Sequence, residues 1–303
     1  MKMMPLLFAT LTMVGMGGLM AQEPEAPFAY FGQKTPDTIP ELFAPGLVSR
    51  KDRHEFGSVF TADGREFYFG VDTGEQSEIH MVRWEGGVWG EPQKLFADSP
   101  FSHNDPMLSP DGSRLYYISD RPGTETRHKK DYDIWFSLRE GGGWSPPINA
   151  GYPVNSPANE YYASFAADGS LFFASNHGAG TEALYNYDIY RSPWKDGSFR
   201  TPVQLPAAIN TPHYEADVFV SPDESYMIFC AVRREGSGQG DLYISFRGGD
   251  GLWLPAVNLG ETINTPGHEL CPFVTADGNY FFFTRDGDIY WADSQIFKGL
   301  RKD

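Results

Sequence analysis

The sequence predicts an all-β fold, a five-bladed β-propeller of four-stranded antiparallel blades, and three observations predict it. A short turn unit recurs five times, an aromatic strand follows each turn, and the last repeat lacks a segment that the N-terminal region supplies. The turn units are Thr61-Ala62-Asp63-Gly64, Ser109-Pro110-Asp111-Gly112, Ala166-Ala167-Asp168-Gly169, Ser221-Pro222-Asp223-Glu224 and Thr275-Ala276-Asp277-Gly278. Their aspartates lie 48, 57, 55 and 54 residues apart, a period that belongs to a repeat architecture rather than to separate domains. Asp-Gly between apolar runs predicts a tight hairpin whose central residues reach positive φ.

Residues 1–21 read as a secretory signal peptide. Lys2 is their one charge, residues 6–20 form an apolar core, and small Ala21 precedes polar Gln22-Glu23. The apolar core falls short of the ~20 residues of a membrane span. The formal net charge is −16, and loss of Lys2 with the signal makes it −17. So acidic a surface argues against nucleic acid and anionic membrane as partners. Cys230 and Cys271 fall in neighbouring repeats, and their spacing requires no disulfide, so two buried thiols are expected.

Each repeat has four beats. A first strand ends at the Asp turn and an aromatic second strand follows, as in Phe67-Tyr68-Phe69 and Leu115-Tyr116-Tyr117. A third strand centres on Glu78-Ile79-His80, Asp133-Ile134-Trp135, Asp188-Ile189-Tyr190, Asp241-Leu242-Tyr243 or Asp288-Ile289-Tyr290. A fourth segment carries an aromatic, a Pro and an aliphatic, as in Trp89, Pro92 and Leu95 or Trp144, Pro147 and Ile148. Pro cannot donate to a ladder, so this strand belongs on the outer edge. The blades are predicted over residues 54–97, 102–150, 159–206, 213–259 and 268–292, in one domain of residues 22–303. The fifth copy has no fourth segment, whereas residues 40–44 (Pro-Glu-Leu-Phe-Ala) read like residues 92–97. The N-terminal segment is therefore expected to complete the last blade, since an open ring leaves an unpaired edge.

These units, Ser109-Pro110-Asp111-Gly112 with Tyr116-Tyr117 and Asp133-Ile134-Trp135 above all, resemble the Pro-Asp-Gly, WD-like repeat of TolB-like β-propellers. The resemblance spans about residues 40–292. It implies a propeller exported to the periplasm or outside the cell, in a family that holds protein-binding members, with enzymes among related propellers. Only two copies keep Pro before Asp, and Glu224 replaces one Gly.

Candidate chemistry comes from register. Eight residues before each turn Asp stand Glu55, His103, Glu160, Glu215 and Glu269, which are expected to ring one mouth of the central channel. Just past the second strand come Arg121, His177, Arg233 and Arg285. Two readings stand side by side. In one, Glu215–Arg233 and Glu269–Arg285 are ion pairs that pin two strands together. In the other, the cup grips a hydroxyl-rich or charged ligand. The triplets Asp98-Ser99-Pro100, Asn155-Ser156-Pro157, Asn210-Thr211-Pro212 and Asn264-Thr265-Pro266 read as loop scaffolding. His54 and His268 precede their ring Glu, with His103 and His213 near the same level. No contiguous metal motif accompanies them, and neighbouring strand residues point to opposite faces, so no metal or cofactor is assigned. The basic loop up to Lys130 is a candidate for docking an anionic group, and Tyr185 and Tyr187 are a candidate stacking platform. The expected function is a monomeric binding module for a protein or glycan at the channel mouth. The alternative is a carbohydrate-active enzyme, a glycoside hydrolase or polysaccharide lyase, that uses ring Glu and His residues. Whether it is catalytic stays open at this stage.

Overall fold

The computed structural model describes residues 30–123, 132–177 and 186–301. The segment read as a signal peptide (residues 1–21), Tyr185 and most of the basic loop lie outside these residues. Five antiparallel sheets follow one another around a ring. Blade one holds His54–Phe60, Glu66–Asp72 and Ser77–Glu85, and blade two His103–Leu108, Arg114–Ser119 and Asp133–Glu140. Blade three holds Glu160–Phe165, Leu171–Ser175 and Asp188–Ser192, and blade four Glu215–Val220, Tyr226–Ala231 and Asp241–Phe246. Blade five holds Glu269–Val274, Tyr280–Arg285 and Asp288–Asp293.

The outer strands are only two residues long in each blade. Gln93–Lys94, Ile148–Asn149, Val203–Gln204 and Val257–Asn258 each pair with the third strand just after the Pro of their repeat. Short edges that start beyond a Pro offer little to a foreign strand. The aromatic of the segment lies apart from them. Trp89 and Trp144 each sit in a separate hairpin of two-residue strands at the end of the third strand, and Trp89 stacks on Phe31 at 4.3 Å. Trp144 Nε1 donates to Tyr68 of the preceding blade at 3.1 Å, and Arg139 lies over its ring.

The ring closes as the repeats predict. Glu41–Leu42 pairs with the third strand of blade five, Glu41 opposite Trp291 and Leu42 opposite Tyr290. Phe43, fully buried, packs against Phe282 and Trp291 of blade five and Phe67 of blade one. One side chain thus belongs to both sides of the seam, a burial that contributes about 1.5–3 kcal/mol.

The turns depart from the expected geometry in one respect. Only the fourth residue is left-handed, for instance Gly112 at φ 66° and Glu224 at φ 53°. The Asp instead accepts from the backbone two residues on, as Asp111 does from Ser113 N at 3.0 Å, and, in every blade but the third, from the Ser or Thr two residues before it. The hairpin is a four-residue loop in four blades, as between Ser109 and Arg114, and a three-residue loop between Ala166 and Ser170 in blade three, rather than a two-residue primed turn. Glu224 tolerates its left-handed position while Arg191 and Arg247 hold its carboxylate.

Candidate functional site

The links between blades explain the Asn-Ser/Thr-Pro triplets. Asn210 Oδ1 accepts from Ile189 N at 2.8 Å and Asn210 Nδ2 donates back to Ile189 O at 3.0 Å, so the Asn caps the third strand of the preceding blade. Asn155 does the same to Ile134, and Asn264 to Leu242. The next residue serves the following blade. Thr211, Thr265 and Ser156 donate through both backbone N and hydroxyl to Glu215, Glu269 and Glu160, with hydroxyl distances of 2.7, 2.7 and 2.6 Å. Each ring glutamate is the acceptor that fixes its own link.

This corrects the expectation of an open carboxylate ring. Glu55, Glu160, Glu215 and Glu269 stand in one register, as predicted, but all four are fully buried and turned onto their links. His103, in the same register, is buried against Phe96 at 4.5 Å, and burial lowers its pKa to about 4, helped by nearby Arg121. Arg121 itself lies over Phe101 and Trp135.

Three of the buried carboxylates face a guanidinium. Arg233 Nε lies 3.4 Å from Glu215 Oε1, its Nη2 donates to Ile209 O at 2.7 Å, and its plane covers Tyr243 and Phe229. Arg285 Nε lies 3.3 Å from Glu269 Oε1, its Nη2 donates to Ile263 O at 2.6 Å, and it covers Tyr290 and Phe283. In blade one Arg53, two residues before the glutamate, pairs with Glu55 at 2.5 Å, donates to Val48 O at 3.2 Å and covers Phe69. The first two pairs are those that the residue types suggested. The third has no counterpart in that register, because its Arg precedes the Glu instead of following the second strand. Burial raises the pKa of Glu55, Glu215 and Glu269, and the facing arginine opposes the rise.

Blade three differs. A cavity of about 620 Å³ opens between it and blade two, lined by Val154, Glu160, Phe173, His177 and Tyr190 on one side and by Asp133 and Asn149 on the other. Ser156 and Ser175 hold the Glu160 carboxyl, but no arginine or lysine among the described residues pairs with it. Burial without a cation, with Asp133 adding a nearby negative charge, raises Glu160 to about 8. His177 is exposed, and its backbone carbonyl accepts from Tyr190 at 2.9 Å. Tyr152, 87% exposed, stands on the rim.

The channel is lined by residues that the sequence did not place there. Two positions after each ring residue stand Gly57, Asp105, Tyr162, Asp217 and Cys271, all at φ between 50° and 53°. A bulge in each first strand turns them inward. Tyr162 reaches Pro272 O at 2.9 Å and Cys271 Sγ donates to Asp105 at 3.5 Å, contacts between non-adjacent blades that meet at the axis. A Cβ on Gly57 would come within 2.8 Å of Asp105 Oδ1, so glycine makes room for that carboxyl. Burial raises Asp105 and Asp217, and Asp105 raises Asp217 further. No common residue type marks these five positions, so only the backbone bulge reveals them.

The remaining candidates are dispersed. His54 and His213 are exposed, while His268 Nε2 lies 3.7 Å from Cys230 Sγ. Among the described residues no cluster of His, Cys, Asp and Glu is placed to hold a metal ion. Cys230 and Cys271 are both buried and free. Tyr187 packs between Tyr161 and Tyr214 rather than offering a stacking face.

No protein family matches the sequence, and no curated protein does. Solved structures do share the fold. A protein of unknown function from Dyadobacter fermentans superposes with a TM-score of 0.50 at 11% identity, over 86% of this chain and 84% of its own. A gluconolactonase from Xanthomonas campestris gives 0.48 at 13% identity, over 86% and 97%. TolB from Acinetobacter baumannii gives 0.46 at 14% identity over 79% of this chain, which spans about half (54%) of that protein. At such identities the likeness is one of architecture alone, and the chain is a five-bladed β-propeller in fold.

Proposed function

We propose that this protein is an exported, monomeric binding propeller that holds a protein or glycan ligand on the face where the blade links meet. The observation that carries this reading is the blade-three cavity beside Glu160 and His177. In blades one, four and five the same register is closed by the chain's own arginines. A concave site with a few convergent polar groups, aromatic walls and an exposed tyrosine at its rim is the build of a binding pocket. Export rests on the N-terminal segment of residues 1–21; no helix among the described residues is long and apolar enough to cross a membrane.

The test is binding of the purified protein to an array of immobilised glycans and peptides, with Tyr190→Ala and His177→Ala beside the wild type. Binding by the wild type and its loss in both variants, at unchanged melting temperature, is the expected result. Binding that survives both substitutions moves the site elsewhere.

One observation favours catalysis as a second reading. Glu160, raised to about 8 beside a cavity, has the protonation state of a general acid at neutral pH. A polysaccharide panel assayed for reducing ends and unsaturated products decides between the two. Product that disappears in Glu160→Gln would establish the enzyme.

A further inference from the structure

Three arginines reach equivalent places from three different sequence positions. Arg53 comes from the chain ahead of the first strand, Arg285 stands directly opposite Glu269, and Arg233 stands two residues past the partner of Glu215. Each nonetheless meets the same receptors. These are a buried glutamate Oε1, the carbonyl of the apolar residue that ends the preceding link (Val48, Ile209 or Ile263), and an aromatic face on the second strand. In blades four and five a third-strand tyrosine completes the platform, stacked on that second-strand Phe at 6.4 and 6.0 Å. The backbone route varies while the receptors do not. The receptors are therefore the invariant part, and what they fit is a planar guanidinium with donors in two directions.

Blade three has the full set. Glu160 is its glutamate, Val154 ends its link, and Phe173 and Tyr190 stack at 5.9 Å and 25°. All four line the 620 Å³ cavity. The places that carry Arg233 and Arg285 in their blades hold His177 and Ser175 here. We propose that the blade-three cavity is a receptor for the guanidinium of an arginine side chain on a partner protein, which takes the place that Arg53, Arg233 and Arg285 fill from within the chain. This rests on the reading of the cavity as the binding site and adds the chemistry of its ligand. A guanidinium suits the receptors better than an ammonium, since it donates edge-on to the Glu160 carboxyl, which releases its proton to solvent as the cation arrives, and to the carbonyl, while its face covers Tyr190. A chain with net charge −16 draws a basic partner by long-range attraction. Tyr152 at the rim supplies an aromatic contact for the residues beside the inserted arginine.

The test uses the full mature chain and three peptides, acetyl-Gly-Arg-Gly-amide and its lysine and citrulline counterparts, titrated by calorimetry. The arginine peptide is expected to bind, with citrulline at least about tenfold weaker, the loss of a charge-assisted hydrogen bond. His177→Arg supplies the guanidinium internally, as Arg233 does in blade four. It is expected to raise the melting temperature by about 2 °C or more and to abolish arginine-peptide binding. Equal binding of arginine and citrulline peptides overturns the proposal. So does binding that appears only after Arg127, Lys129 and Lys130 are all changed to Ala, because the chain's own basic loop is then the occupant. If no peptide binds while His177→Arg abolishes capture on the array, the guanidinium assignment falls and the binding site stands. If His177→Arg leaves capture on the array intact, the site itself falls.

Discussion

Tyr162 of blade three donates a 2.9 Å hydrogen bond to the carbonyl of Pro272 in blade five, across the axis of the propeller. Two blades that are not neighbours are thereby tied at the centre, and the channel is closed at that level by a buried phenol. Burial raises the Tyr162 phenol far above its ordinary range, which keeps it a donor at every accessible pH.

Removing that hydroxyl tests the tie. Tyr162→Phe keeps the ring but strands a buried carbonyl, a change that costs about 1–3 kcal/mol. The expected outcome is a melting temperature lower by several degrees, with no effect on binding at the blade-three cavity. Thermal unfolding followed by circular dichroism checks the first part and the peptide titration the second.

Stability is expected to fall as pH rises through the weakly acidic range. Asp217 is raised from its ordinary 3.8 by burial first and then by Asp105, so the folded state holds a proton that the unfolded chain releases. Above pH ~4 the unfolded state binds fewer protons, and the folded state loses ground with each further unit. Asp217→Asn cannot ionise. Its melting temperature relative to the wild type should therefore climb between pH 4.5 and pH 8, and a difference that stays flat would show that Asp217 does not titrate with folding.

The ring glutamates should separate into two kinds. In Glu215→Gln, Arg233 keeps its buried position and loses its counter-charge, a loss of about 3–5 kcal/mol when one partner of a buried pair goes. With no ligand bound, burial raises Glu160 to about 8, so at pH 7 Glu160→Gln replaces a mostly neutral group with a neutral one between Ser156 and Ser175. Its melting temperature should stay within about 2 °C of the wild type, the range of a substitution below ~0.5 kcal/mol. Equal losses in the two variants would mean that the arginine does not distinguish them.

Closure of the ring is tested by deletion. Without residues 22–48 blade five loses Glu41–Leu42, and Phe43 leaves the seam between Phe282 and Phe67. The product should aggregate or melt at a markedly lower temperature, as differential scanning calorimetry would show. An unchanged transition would mean that the seam holds without the N-terminal strand.

The architecture was legible because a propeller repeats its local chemistry once per blade. The turn aspartates, the Pro before each outer strand and the displaced segment at residues 40–44 are short-range signals, and each appears where the repeat places it. The register of Glu55, Glu160, Glu215 and Glu269 was legible for the same reason, and so were the pairs that Glu215 and Glu269 make. Their burial was not, because it depends on the Thr211, Thr265 and Ser156 hydroxyls folding back from the links.

Two further features were decided only in three dimensions. A bulge in each first strand shifts which residue faces the axis, so Tyr162, Asp105 and Asp217 line the channel although no residue type unites them. Long side chains also free function from register. Arg53, Arg233 and Arg285 carry a guanidinium to equivalent receptors from different sequence positions, and blade three is distinguished by what its backbone does not deliver. Sequence alone determines the blades, since strand and turn preferences act over a few residues. The site belongs to the tertiary structure, because a pocket is a relation among groups that only packing brings together.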